Sequence, residues 1–112
     1  MLDIHVLETN HVAVVLEAHG RIDSATANIL GDALTGVIDD GHHRIVLDVA
    51  GVDYMSSAGL REIVAALKKV RNSSGDLRLA RVTERVNDVL ELSGLNTILQ
   101  IFDSQAEAVS SF

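Results

Sequence analysis

Residues Arg44-Ile45-Val46-Leu47-Asp48-Val49 form a nearly continuous apolar run of strand length. A strand with one wet face alternates apolar and polar residues, so a run like this one needs cover on both sides. It predicts the middle strand of a sheet that carries helices on its faces. From Ser57 onward, Leu60, Ile63, Val64, Leu67 and Val70 recur at helical spacing, while Arg61, Glu62, Lys68, Lys69 and Arg71 occupy the remaining face. A buried strand followed at once by an amphipathic helix is half of a parallel crossover, and it points to an α/β fold.

The flanking segments fit that plan. Leu2-Asp3-Ile4-His5-Val6-Leu7 and Val12-Ala13-Val14-Val15-Leu16 read as strands of an N-terminal hairpin turning at Glu8-Thr9-Asn10-His11. After Gly20, Asp23 or Ser24 can cap a helix buried through Ala27, Leu30, Ala33, Leu34, Val37 and Ile38, which Gly31 and Gly36 weaken. The strong helix ends at Asn72-Ser73-Ser74-Gly75, and Asp76-Leu77-Arg78-Leu79-Ala80 reads as another strand. Thr83 can cap a third helix, buried through Val86, Val89 and Leu90 and stopped by Gly94 with Leu95 as the contact beyond. Residues 98–102 are expected as a short last strand and 105–109 as a terminal helical turn. The expected order is ββαβαβα followed by βα, in one domain spanning residues 1–112. Its mixed sheet has four or five strands and about four helices.

Composition removes several classes of function. The chain has no cysteine, so it has no disulfide, thiolate metal site or cysteine nucleophile, in keeping with a reducing cytoplasmic setting. Met1-Leu2-Asp3-Ile4-His5 shows neither the basic start nor the apolar run of a signal peptide, and no segment has the ~20 apolar residues of a membrane span. A net charge of −7 with one Tyr and two Phe offers little to a phosphate backbone or to stacked bases, so direct binding to nucleic acid is not expected.

Chemistry is expected where the central strand hands over to the strong helix, at Asp53-Tyr54-Met55-Ser56-Ser57-Ala58-Gly59-Leu60. Loops at the carboxyl ends of strands in open α/β sheets are the usual binding places. A serine there either caps the helix or presents its hydroxyl at the partly positive helix end, where added negative charge is tolerated. A nucleophile elbow fails, because Met55 stands where G-x-S-x-G needs its first glycine around Ser57. His5, His11, His19, His42 and His43 all precede Ser57, which rules out the hydrolase order of serine, acid, histidine. Adjacent His42 and His43 read as turn residues rather than metal ligands, His5 and His19 as outward-facing strand residues, and no phosphate-loop motif occurs. No enzyme, metal or cofactor is expected.

Four features in order carry a family resemblance. Gly20-Arg21-Ile22-Asp23-Ser24-Ala25-Thr26-Ala27 is similar to G-x-[IL]-D-x-x-[ST]-A, and Ile45-Val46-Leu47-Asp48-Val49 with Val52-Asp53-Tyr54-Met55-Ser56-Ser57-Ala58-Gly59-Leu60 is similar to a strand followed by [FY]-[MIL]-D-S-[ST]-G-[LI]. Gly75-Asp76-Leu77-Arg78-Leu79 and Leu92-Ser93-Gly94-Leu95 complete the set. Over essentially its whole length the chain resembles the STAS domains, and among them the bacterial anti-sigma-factor antagonists.

The resemblance implies partner switching. Such antagonists bind an anti-sigma factor that is also a serine kinase, which phosphorylates the signature serine, and a phosphatase restores it. Matching residues puts Ser57 at the phosphoacceptor, with Ser56 as the alternative acceptor in place of the family's aspartate. The implied docking set is Asp23, Met55, Ser56, Ser57, Ala58, Gly59 and Leu60, and a second copy of the chain is a further candidate partner. Another role implied by the same family is an unphosphorylated scaffold subunit of a transporter or signalling complex.

Overall fold

The computed structural model describes residues 1–8 and 11–112. Five strands, β1 (Leu2–Glu8), β2 (Val14–Ile22), β3 (Arg44–Met55), β4 (Asp76–Ala80) and β5 (Ile101–Phe102), lie in chain order across one sheet. β1 and β2 are antiparallel, and every later neighbour pair is parallel. Parallel neighbours need crossovers, which α1 (Ala27–Asp39), α2 (Ser57–Asn72) and α3 (Glu84–Ser93) supply, the last through a 3-10 turn at Leu95–Thr97. A short α4 (Gln105–Ser110) closes the chain. The expected mixed sheet with four helices is therefore present. The hairpin pairs as expected, but Thr9 and Asn10 of its turn lie outside the described residues.

β3 is the central strand and is covered on both faces. Ile45, Leu47 and Val49 enter the main core, where they meet Leu30 and Leu34 of α1, Ile63, Leu67 and Val70 of α2, and Val86 and Leu90 of α3. Val46 enters a smaller core on the other face with Ala13, Val15, Ala80 and Ala108, against which Phe102, Val109 and Phe112 pack. That second cover is α4, the segment with the weakest sequence signal.

Several boundaries differ from the sequence reading. β2 starts at Val14 and runs on to Ile22 rather than stopping at Leu16; its pairing with β3 shifts register between Glu17 and His19 and again between Gly20 and Arg21. These irregularities break the apolar alternation that marks a strand in sequence. β3 continues to Met55 through the polar residues Asp53 and exposed Tyr54. At the other end, residues 98–100 fall outside the last strand, which keeps only Ile101 and Phe102. α1 begins at Ala27, one turn after Asp23, because the Asp23 carboxylate holds the preceding turn by accepting the N–H groups of Ala25 at 3.0 Å and Thr26 at 3.2 Å. The other caps fall where expected: Thr83 Oγ1 accepts the Val86 N–H at 3.3 Å, and Gly94 ends α3 at φ 76°.

One residue of the apolar run is charged. Asp48 is 3% exposed, and its carboxylate accepts hydrogen bonds from Ala50 N–H at 2.9 Å, Gln105 Nε2 at 2.6 Å and Arg81 Nη1 at 3.4 Å. Gln105 Nε2 also reaches Glu17 Oε2 at 2.5 Å, and Glu17 is the register partner of Asp48 across β2 and β3. A single amide from α4 thus links two strands through their carboxylates. Asp48→Ala is expected to leave these donors without their acceptor and to lower stability by about 1–3 kcal/mol, read as a lower urea midpoint with faster hydrogen exchange in α4. An unchanged midpoint would show that the network contributes nothing net.

Candidate functional site

The site is built where β2 and β3 leave the sheet together. Ile22 is in register with Met55 and Arg21 with Tyr54, and the Ser56 N–H donates to the Ile22 carbonyl at 2.9 Å. The two exits are thereby held side by side, β2 running into the Asp23 turn and β3 into α2. β4 pairs with β3 only as far as Asp48, so the rest of β3 extends beyond that neighbour. The handover between strand and helix is a single residue, Ser56, instead of a loop.

The adjacent serines have different positions. Ser56 is the N-cap of α2, with extended backbone at φ −93° and ψ 170°, and its hydroxyl accepts the Gly59 N–H at a long 3.4 Å. Ser57 is the first helical residue; its side chain is exposed, and among the described residues nothing bonds its hydroxyl. Beneath them the helix sits close on the sheet. A Cβ on Gly59 would fall 2.5 Å from Ile22 Cγ2 and 2.7 Å from Met55 Sδ, so only glycine allows this approach.

That packing buries part of the implied docking set. Met55 is 3% exposed, Leu60 6%, and Gly59 is buried. These residues pack in the core, because the first turn of α2 folds their apolar atoms onto β2 and β3. Asp23, Ser56 and Ala58 are partly exposed and Ser57 is exposed, and the register brings Asp23 to the same end of the sheet.

Around Asp23 lies a small polar cluster. Arg21 Nε donates to Asp23 Oδ2 at 3.1 Å, and the Arg21 guanidinium stacks 4.0 Å above the Tyr54 ring. Thr26 Oγ1 donates to the Arg21 carbonyl at 2.8 Å and accepts the Asp23 N–H at 2.9 Å. Desolvation pushes the Asp23 carboxyl up, but the Ala25 N–H, the Arg21 guanidinium and the Thr26 hydroxyl and N–H outweigh it and hold it below the usual carboxylate range. A carboxyl depressed in the folded state adds stability above that range, and the contribution is lost as pH falls through it. Local sequence gives Arg21 and Tyr54 no role. Their stacking depends on register, which the sequence does not print.

The histidines are not part of this site. His5 and His19 are exposed strand residues whose rings meet edge to face at 5.6 Å, as their outward placement predicts. His42 and His43 follow the end of α1 and line, with His11, Arg44 and Ser74, a recess of about 580 Å3 at the opposite pole of the sheet. The recess lies where α1 and α2 end, and basic residues suit the partly negative carboxyl ends of helices. Among the described residues no three ligand side chains converge on a metal position, and no helix is long and apolar enough to cross a membrane.

A sheet of this order, with a serine exposed at the first turn of the helix after its central strand, defines an α/β domain of the STAS type. The STAS domain family model matches residues 4–108, and the chain belongs to that family. It is 37% identical over 93 residues to BtrV of Bordetella bronchiseptica, a candidate anti-sigma factor antagonist, covering 83% of this chain and 80% of that one. The fold matches an anti-sigma factor antagonist of Mycobacterium paratuberculosis with TM-score 0.88 at 22% identity, covering 99% and 93% of the two chains. It also matches the anti-sigma factor antagonist SpoIIAA in its unphosphorylated form, with TM-score 0.85 at 16% identity over 97% and 95%.

Local stability should distinguish the two serines. Ser56→Ala is expected to cost about 0.5–1 kcal/mol, the low end for a cap because its bond is long, whereas Ser57→Ala should stay within about 0.5 kcal/mol. Gly59→Ala should cost about 1–3 kcal/mol through overpacking. Thermal and urea unfolding of the three variants measure this, and a larger loss for Ser57→Ala than for Ser56→Ala would reverse the cap assignment.

Proposed function

We propose that this chain is an anti-sigma factor antagonist that docks on an anti-sigma factor with serine kinase activity and is switched off by phosphorylation of Ser57. The observation that carries the reading is the exposed, unbonded Ser57 hydroxyl at the first residue of α2, at the same end of the sheet as the Asp23 cluster. The relationship to BtrV supports the antagonist role, and the fold it shares with SpoIIAA, a protein described in both unphosphorylated and phosphorylated forms, supports the switch. Ser56, occupied as cap, is the alternative acceptor. The docking face comprises Asp23, Ser56, Ser57 and Ala58, to which Arg21 and Tyr54 are added, while Met55, Gly59 and Leu60 shape it from below. The role is binding rather than catalysis, and a phosphatase acting on the phosphoserine resets it.

The charge argument explains how such a switch spares the fold. Phosphate on Ser57 adds about 1.5 to 2 negative charges at a helix N-terminus, where the helix dipole favours them. A partner that covers the site without a matching cation has to desolvate a dianion, at a cost of several kcal/mol. That is two or more decades of affinity with no refolding.

Ser57→Ala should keep the fold and partner binding and abolish phosphate incorporation by the cognate kinase. Wild-type incorporation would move the acceptor to Ser56 or elsewhere. Ser57→Asp should leave the melting temperature within a few degrees of wild type while lowering partner affinity by about tenfold or more in calorimetric titration. Wild-type affinity in that titration would place the interface elsewhere and favour the scaffold role.

A further inference from the structure

β1 is an edge strand, paired with β2 on one side and with no strand on the other among the described residues. Such an edge is a template for pairing with another chain. Exposed apolar side chains gather along it: Met1 is 96% exposed, Val6 50% and Leu7 38%. Ile29 of α1 is 42% exposed. α1 packs over β1 and β2 and turns Gly31 toward Glu62 of α2. Two residues earlier is about 200° round the helix, so Ile29 sits on the flank away from α2, above the free edge.

We propose that this edge pairs antiparallel with the same edge of a second copy of the chain, about a twofold axis at Ile4. Ile4 then faces its counterpart, on the sheet face where Ile4 and Val6 already neighbour Ala18 and Leu16 of β2, and Val6 comes beside Leu2 of the other copy, whose own side chain is 4% exposed and stays in its core. On the opposite face Asp3 comes against His5, and Met1 against Leu7. The Ile4 contact lies on the axis and every other contact occurs twice around it, so the apolar contacts and the acid–imidazole pair are self-complementary. Other registers lose this match. Centring the axis on Asp3 sets two carboxylates face to face, centring it on His5 sets Asp3 against Leu7, and a one-residue slip turns the side chains to the wrong faces. The flanks of α1 bearing Ile29 lie on the same face of the paired edges as Ile4. Ser57 lies two strands away at the end of β3, so the dimer leaves that site open and presents it twice. One strand pair with one helix flank buries less than the ~1,200 Å2 of a standard interface, so association is weak and concentration-dependent.

Sedimentation equilibrium over about a hundredfold range of concentration tests this without any partner protein. The wild-type mass should rise from the 12.0 kDa of one chain toward twice that value. Val6→Lys, at a position outside the core, should hold the chain as a monomer with an unchanged circular dichroism spectrum. His5→Asp should weaken association by about tenfold by opposing carboxylates across the axis, and adding Asp3→Lys to it should restore association. That restoration is specific to the register about Ile4. A mass of one chain at every concentration overturns the proposal, as does association that Val6→Lys and the charge exchange leave at wild-type strength.

Discussion

The close approach of the first turn of α2 to the ends of β2 and β3 is the contact on which the arrangement of the site depends. It is possible because residue 59 has no side chain, with Ile22 and Met55 filling the space a Cβ would need. Ile22 and Met55 are themselves register partners, so one contact fixes three elements: where β2 ends, where β3 ends and where α2 begins. The Ser56 N–H bound to the Ile22 carbonyl closes the same junction through the backbone. Once these groups are in place, Ser57 has no neighbour to hold it, and its side chain projects to solvent.

Stability and accessibility are divided between residues that are adjacent in sequence. Ser56 spends its hydroxyl on the helix cap, and Met55, Gly59 and Leu60 spend their surfaces on the core. What remains free is a short polar ridge, Ser57 and Ala58 on one side and the Asp23, Arg21 and Tyr54 cluster on the other. In that cluster carboxylate, guanidinium, hydroxyl and ring contact one another.

The second face of the sheet follows a different logic. Its apolar core is small, and the cover, α4, is only six residues long. Polar contacts supplement it at both ends, with Gln105 on Glu17 and Asp48, and Arg78 bonded to Ser111 and stacked on Phe112. Burying Asp48 in the central strand is tolerable because its carboxylate meets three donors, including a guanidinium. The same residue read in sequence as a mere interruption of an apolar run.

The sequence by itself determined the elements whose signals are local. The apolar run of β3, the helical spacing of α2, the Thr83 cap and the Gly94 stop each depend on residues within a few positions of one another, and the structure reproduces them. The serine at the strand-to-helix junction was legible for the same reason, as was the family, through motifs at fixed spacing. Register and burial were not, because they are set between segments far apart in the chain. Only the folded sheet decided that β2 continues through two irregularities to Ile22 and that Arg21 stacks on Tyr54. Only packing assigned Ser56 to the cap and Ser57 to solvent, two hydroxyls with the same local chemistry. Tertiary structure also placed Met55, Gly59 and Leu60 in the core, since apolar residues beside an exposed serine read alike whether they turn outward or inward.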